Sequence, residues 1–175
     1  TAVFDLLEDL IPLKSGWNFV SFPKLPSEPS IGSIMNGKQV RIVWGYDNEH
    51  KKWLKWRPDG GDKNTLSAFE FGKGYWIYMD GKDSIDTTDW LLPQQSSVNL
   101  YPGWNLTGWL GDDGKNADQA LLSLSDNLEI LWTWQDGSWS VKHNLSKSLP
   151  FPEIETLNRG KAYWIKVKSN ADWQQ

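Results

Sequence analysis

Residues 72–77 read Gly-Lys-Gly-Tyr-Trp-Ile, and residues 160–165 read Gly-Lys-Ala-Tyr-Trp-Ile. An aromatic and β-branched run that follows a glycine is typical of the start of a β-strand. The two stretches lie 88 positions apart, and five of their six residues are identical. A match of this kind at long separation indicates an internal duplication.

Two further landmarks repeat in the same order. Gly-Trp-Asn occurs at residues 16–18 and again at 103–105, an offset of 87, and Trp44 recurs as Trp132, an offset of 88. Because three landmarks share nearly one offset, we divide the chain into two repeats. The division gives an N-terminal segment (1–9), repeat 1 (10–82), a connector (83–95) and repeat 2 (96–175). The pattern leaves open whether the repeats share one core.

Each repeat shows the same succession of short strands separated by turns. Asp136 and Gly137 lie between two aromatic strands, which is a strong hairpin signal. The sequence predicts an all-β fold of two pseudo-symmetric β-rich repeats, each a small barrel or sandwich, with one or two short helices. The predicted strands cover residues 17–22, 40–46, 51–56 and 74–79, then 98–109, 128–134, 138–143 and 162–168. Weaker signals predict helices within 30–35 and 116–124, a strand at 89–92 and a short helix or linker at 1–9.

The composition argues against several classes of function. The formal charge is −4 with no cluster of Lys or Arg, and nucleic-acid binding depends on neutralising phosphates, so we expect no nucleic-acid partner. No apolar run approaches the roughly 20 residues of a membrane-spanning helix, so we expect no membrane partner. The chain has no cysteine, which rules out disulfides and thiolate chemistry within it.

No catalytic motif stands out in the sequence. There is no phosphate-binding loop, nucleophile elbow or metalloprotease helix, and the two histidines are isolated, so we expect no enzyme activity and no cofactor. Asp112 and Asp113, or Asp59 and Asp62, could supply oxygen ligands to Ca²⁺, although no EF-hand pattern accompanies them. Turn formation is the alternative role for these aspartates.

Thirteen tryptophans are the most unusual feature of the composition. Aromatic positions kept in both repeats are expected to serve mainly the core that both share, whereas unmatched tryptophans are freer to serve recognition. The kept pairs are Trp17/Trp104, Trp44/Trp132, Tyr46/Trp134, Trp53/Trp139, Tyr75/Tyr163 and Trp76/Trp164. The unmatched residues are Trp56, Trp90, Trp109 and Trp173.

Strand alternation identifies kept tryptophans that should reach water. Trp164 shares a strand face with Lys166 and Lys168, and Trp76 is its counterpart in repeat 1. Trp53 likewise lies between two lysines of its own face. We therefore expect Trp53, Trp76 and Trp164 to be at least partly exposed as platforms for a sugar ring. The alternative is that a loop or the other repeat covers them.

Trp109 is the strongest single candidate for a binding residue. It is unmatched, and the carboxylates of Asp112 and Asp113 follow it in a glycine-bounded loop. An aromatic ring beside carboxylates can stack on a sugar while the carboxylates accept hydrogen bonds from its hydroxyls. The alternative is that Trp109 packs between the repeats.

The order of these motifs resembles a tandem repeat domain of bacterial secreted and cell-surface multidomain proteins. The shared features are Gly-Trp-Asn followed by Leu or Phe, Ser-x-Pro at residues 21–23, and Gly-Tyr-Trp-Ile near the end of the repeat. Repeat 2 departs from Ser-x-Pro at residues 108–110. The resemblance implies an extracellular location, as a mature or excised part of a larger chain, in the company of polysaccharide-active or adhesive proteins.

These observations lead to the expectation of a non-catalytic carbohydrate-binding module. Its partner would be a polysaccharide or oligosaccharide. The candidate binding residues are Trp109, Trp164, Trp76, Trp53, Asp112 and Asp113. Two alternatives remain: a structural or protein-interaction spacer, and an accessory domain that packs against a catalytic neighbour.

Overall fold

The computed structural model describes residues 9–143 and 148–175. The predicted helix or linker at 1–9 lies almost wholly outside the described residues. Neither α-helix of the described chain is long enough to cross a membrane.

Both repeats consist of short antiparallel strands and one short helix. Repeat 1 contains β1 (Leu10–Leu13), β2 (Gly16–Ser21), α1 (Ile31–Ile34), β3 (Val40–Asp47), β4 (Lys52–Trp56), β5 (Gly74–Met79) and β6 (Asp83–Asp86). Repeat 2 contains β7 (Ser97–Leu100), β8 (Gly103–Gly108), β9 (Lys115–Asn116), α2 (Ala117–Ala120), β10 (Leu128–Gln135), β11 (Ser138–His143), β12 (Thr156–Leu157), β13 (Ala162–Val167) and β14 (Ala171–Gln174). Single 3₁₀ turns lie at Gly61–Lys63 and Ser125–Asn127.

The two repeats have the same sheet topology. Each has a four-stranded sheet, in the order β2-β5-β3-β4 in repeat 1 and β8-β13-β10-β11 in repeat 2. Each also has a two-stranded sheet, β1-β6 or β7-β14, and β9 pairs with β12 in repeat 2 alone. The predicted all-β fold of two related repeats with short helices is confirmed. None of the sheets in the described chain closes into a barrel.

Each repeat has a core of its own. In repeat 1, Val43 and Ile77 of the large sheet pack with Ile11 and Ile85 of the small sheet and with Ile31 of α1. The corresponding layers of repeat 2 enclose a second, separate cluster. These two clusters lie on one face of each four-stranded sheet. On the other face a third buried cluster, formed by Phe19, Leu106 and Ala162, joins the two repeats, and partly buried aromatic rings pack against it.

Repeat 1 extends further along the chain than the sequence predicts. Strand β6 (Asp83–Asp86) falls in the segment interpreted as a connector, because Ile85 is buried and pairs with Ile11 of β1. The predicted strand at 89–92 is absent, and Leu91 forms only a single bridge with Leu25.

The Gly-Trp-Asn motif closes the turn between the first two strands of each repeat. Gly16 and Gly103 have φ values of +90° and +82°, a left-handed conformation that favours glycine. Asn105 is buried; it accepts a hydrogen bond from the Tyr101 N–H at 2.8 Å and donates one to the Tyr101 carbonyl at 2.7 Å. Asn18 makes the same pair of bonds to the backbone of Lys14. The asparagine therefore satisfies backbone groups that the turn leaves unpaired.

The Tyr-Trp-Ile motif points residues alternately to the two faces of the central strand. Ile165 and Tyr163 are fully buried, and the Tyr163 hydroxyl accepts a hydrogen bond from the Asn158 N–H at 2.9 Å. Burial raises the pKa of Tyr163 to about 12. Tyr75 accepts the equivalent bond from Glu70, and burial raises its pKa further still. Both tyrosines are core residues, as predicted for the kept set.

We expect the protein to lose stability as the pH rises from about 10 to about 12. The pKa of Tyr163 is near 10 in the unfolded chain and about 12 in the folded one, so ionisation favours the unfolded state across this interval. Below pH 10 Tyr163 is neutral in both the folded and the unfolded state, so its burial contributes fully to the free energy of unfolding. Urea midpoints measured between pH 9 and pH 11.5 should fall, and they should fall less in Tyr163→Phe. An equal fall of the urea midpoint in both proteins would contradict the raised pKa of Tyr163.

The repeats meet around a pseudo-two-fold axis. The Ser21 N–H donates to the Gly160 carbonyl at 2.8 Å, and the equivalent Gly108 N–H donates to the Gly72 carbonyl at 3.0 Å. These contacts require close approach: a Cβ at Gly108 would lie 2.5 Å from the Ser21 Cβ. Reciprocal contacts of this kind are those of a symmetric dimer, here within one chain.

Candidate functional site

The outer faces of the two four-stranded sheets are covered with aromatic side chains. The prediction from strand alternation is confirmed, because Tyr163 and Ile165 point to the core while Trp164 is half-buried on the other face. Trp76 is likewise half-buried, and Trp53 is 50% exposed. The rings of these faces border two grooves.

Groove A lies on the sheet of repeat 1 and has a volume of about 540 Å³. Every strand of that sheet contributes one ring, and β10 of repeat 2 contributes a fifth. The lining residues are Trp17 (β2), Trp44 (β3), Trp53 (β4), Trp76 (β5) and Trp134 (β10).

Groove B lies on the sheet of repeat 2 and has a volume of about 470 Å³. Again each strand of the sheet contributes one ring, and repeat 1 adds two. The lining residues are Trp104 (β8), Trp132 (β10), Trp139 (β11), Trp164 (β13), Tyr46 (β3), Trp53 (β4) and Phe151.

The two grooves correspond residue by residue under the duplication. All five rings of groove A have their kept partner in groove B, including the ring that crosses from the other repeat, which is Trp134 in groove A and Tyr46 in groove B. The crossing contacts match as well: the ring centroids of Trp76 and Trp134 lie 5.2 Å apart, as do those of Tyr46 and Trp164. Neither groove is complete in one repeat alone.

Two features distinguish groove B from groove A. Phe151 packs edge-on against Trp132, with ring centroids 5.0 Å apart, and forms a wall of groove B. In the described part of repeat 1, no phenylalanine lines groove A beside Trp44, the counterpart of Trp132. Trp53 lines both grooves, so the grooves adjoin at this residue.

The rings of the grooves stand mostly at steep angles to one another. Trp53 and Trp164 are 5.5 Å apart at an interplanar angle of 74°, and Trp17 and Trp76 are 6.1 Å apart at 86°. Edge-to-face contacts of this kind are favourable. The walls of each groove are therefore aromatic rings that stabilise one another.

The indole N–H groups of the grooves are available to a ligand. Within the described residues, an indole N–H donates to a protein acceptor only in Trp109 and Trp173. No buried side-chain nitrogen or oxygen of the described chain lacks a partner. The indole N–H groups of the groove tryptophans therefore have no protein acceptor among the described residues, and a ligand hydroxyl could accept a hydrogen bond from them.

Charged groups lie at the edges of the grooves. The ammonium of Lys51 donates to the Trp104 carbonyl at 2.8 Å, and burial lowers the pKa of Lys51. Lys166 pairs with Glu129 at 3.1 Å.

Asn48, which is buried, binds both the N–H and the carbonyl of Leu106 and so anchors the β3–β4 turn of repeat 1 on β8.

The expectation that Trp109 is displayed at the surface is wrong. Its side chain is 2% exposed, it packs against Trp173, and its indole N–H donates to the Asp112 carbonyl at 2.8 Å. Gly111 lies so close to the ring that a Cβ there would come within 2.4 Å of it. The glycine-containing loop wraps the ring and seals it, so Trp109 presents no ring face to a ligand.

Asp112 and Asp113 line neither groove A nor groove B, although Asp113 lines a neighbouring cleft of about 460 Å³ that also includes Trp17 and Trp134. Asp113 accepts a hydrogen bond from the Arg159 N–H at 2.9 Å, which is a loop-closing role. Asp59 lies 3.5 Å from Arg57 across an ion pair. In the part of the chain that the structure describes, no three acidic or histidine side chains converge as metal ligands would.

The structure therefore places three of the predicted site residues, Trp53, Trp76 and Trp164, in the grooves. It adds rings whose main expected role is the core, together with Phe151, for which no role was predicted. The added residues are Trp17, Trp44, Tyr46, Trp104, Trp132, Trp134, Trp139 and Phe151. Seven of them belong to the kept pairs, so the signal was present but was interpreted as a mark of the core.

No family model, curated protein or solved structure matches this chain. The resemblance to a bacterial surface repeat domain therefore stays a prediction.

Proposed function

We propose that the protein is a non-catalytic carbohydrate-binding domain. The observation that carries this proposal is the pair of aromatic-walled grooves whose indole N–H groups have no protein acceptor among the described residues. Trp53, Trp76 and Trp164 keep the roles expected of them, and the proposal no longer includes Trp109, Asp112 or Asp113.

The groove chemistry suits a sugar ring. The face of an indole carries negative partial charge, and the C–H groups on one face of a pyranose carry positive partial charge, so the two stack favourably. Groove tryptophans can also donate hydrogen bonds to sugar hydroxyls. Both volumes fall within the roughly 300–1,000 Å³ typical of small-ligand sites.

A protein partner is the principal rival. Docking surfaces for helices usually include Leu, Ile or Met anchors, whereas the lining residues of both grooves are aromatic without exception. An extended aromatic surface nevertheless suits a spacer or an accessory domain that packs on a neighbour. Binding to sugar separates these functions.

Affinity electrophoresis of the full chain through gels that contain hydroxyethylcellulose, xylan or glucomannan tests the proposal. We expect retardation by at least one polysaccharide, with a dissociation constant on the order of micromolar to millimolar. Acrylamide should quench a large part of the tryptophan fluorescence, and the polysaccharide that retards the protein should protect it. Unchanged mobility with every soluble glycan, together with binding to a protein partner, would favour the rival.

The resemblance described for the sequence supports an extracellular setting in a larger bacterial protein. In that setting the domain would hold its parent protein on a polysaccharide. A weak site serves this role because many copies on one surface raise the effective affinity.

A further inference from the structure

We infer that each chain carries two equivalent binding sites, so that one domain bridges two glycan chains. This inference rests on the proposed function. It sets the number of sites at two.

The first step is the equivalence of the grooves. Trp17 of groove A and Trp104 of groove B are partners under the duplication and are 43% and 38% exposed. Trp44 contacts Trp53 at 6.1 Å in the same edge-on manner in which Trp132 contacts Trp139 at 6.1 Å. Because every ring of groove A has its counterpart in groove B, the two sites should accept the same class of ligand.

The second step is the relation between the two sites. The bridge between Val20 and Lys161 has its partner in the bridge between Thr107 and Lys73, so the equivalent residues of the two repeats make the same contact across the interface. Reciprocity of this kind defines a two-fold relation. Each four-stranded sheet therefore carries a groove of its own.

The third step is the consequence for a polysaccharide. A ligand in groove A contacts mainly rings of repeat 1, and a ligand in groove B contacts mainly rings of repeat 2. Two glycan chains can therefore be bound at once, and the domain then holds the chains together.

The test counts the bound ligands on the intact 175-residue chain. Native mass spectrometry is carried out with cellohexaose, xylohexaose or mannohexaose, chosen by the polysaccharide that retards the protein most. We expect two hexasaccharides per chain at saturation. Trp17→Ala and Trp104→Ala are matched variants, because each truncates the equivalent ring of one groove; each should bind one hexasaccharide, and the double variant none.

Bridging has its own readout in light scattering. The unmodified protein should raise the scattering of a dilute solution of the same polysaccharide at least twofold, whereas each single variant should still be retarded in the gel yet leave the scattering unchanged. Indole N–H resonances in two-dimensional NMR spectra confirm that the variants are folded. One hexasaccharide per unmodified chain, or loss of both sites in a single variant, would overturn the inference while retardation still upheld the proposed function. Absence of retardation by every polysaccharide would overturn both.

Discussion

Trp53→Ala should abolish most of the retardation by polysaccharide. Trp53 is the one tryptophan that lines both grooves among the described residues, so its truncation removes a wall from each. Removal of a central aromatic anchor typically costs at least about 2 kcal/mol of binding free energy, which is roughly a 30-fold loss of affinity. The side chain is half exposed but makes edge-on contacts with three other rings, so the free energy of unfolding should fall by about 1–3 kcal/mol and leave the protein folded.

The matched control for Trp53 is the other tryptophan of the same strand. Trp56 lies on the opposite face of β4 and packs against the core of repeat 1. Trp56→Ala should therefore lower the urea midpoint while leaving the retardation unchanged in the absence of denaturant. If Trp56→Ala weakens binding as much as Trp53→Ala does, the grooves are not the binding surface.

The scaffold could be predicted from the sequence because its signals are local. The Gly-Trp-Asn turn needs a glycine at positive φ and an asparagine that binds its own backbone, and both requirements involve neighbouring residues. Alternation along β13 places Tyr163 and Trp164 on opposite faces of the sheet, and the sequence of this strand alone predicts it. Repetition of these signals at one offset then indicates two related repeats, whereas the order of strands in each sheet comes from the structure alone.

The site could be predicted only in part because its geometry depends on contacts between the repeats. Alternation indicates that Trp164 points away from its own core. It does not indicate that Tyr46 and Trp53 of the other repeat stand beside it at 5.2 and 5.5 Å. That arrangement follows from the pseudo-two-fold packing of the repeats, which no local pattern encodes.

The rule that separated kept from unmatched tryptophans gave the opposite of the observed distribution. Apart from Tyr75 and Tyr163, the kept aromatic residues line the grooves, since both repeats retain a groove as well as a fold. The unmatched Trp173 is fully buried and occupies the place of Ile85 in repeat 1. A core requires apolar volume and tolerates different residues that supply it, so an unmatched ring is no sign of exposure.

Trp109 gives the sharpest comparison between a core role and a binding role. Its counterpart in repeat 1 is Phe22, which is also buried and stacks on Phe69 at 4.0 Å. Trp109→Ala should lower the free energy of unfolding by about 3–5 kcal/mol, because it leaves a cavity against Trp173 and removes the donor to the Asp112 carbonyl.

Trp109→Phe introduces the residue type that repeat 1 has at the equivalent position, Phe22, so it should lower the free energy of unfolding by only about 1–2 kcal/mol. Urea unfolding followed by circular dichroism measures both changes, and gel retardation at low temperature measures binding by the folded protein. Because the ring lies beneath the sheet and not in a groove, Trp109→Phe should bind polysaccharide as the unmodified chain does. If the folded Trp109→Phe variant were no longer retarded by polysaccharide, Trp109 would have to belong to the binding site. The loop at Gly111 would then have to open to expose its ring.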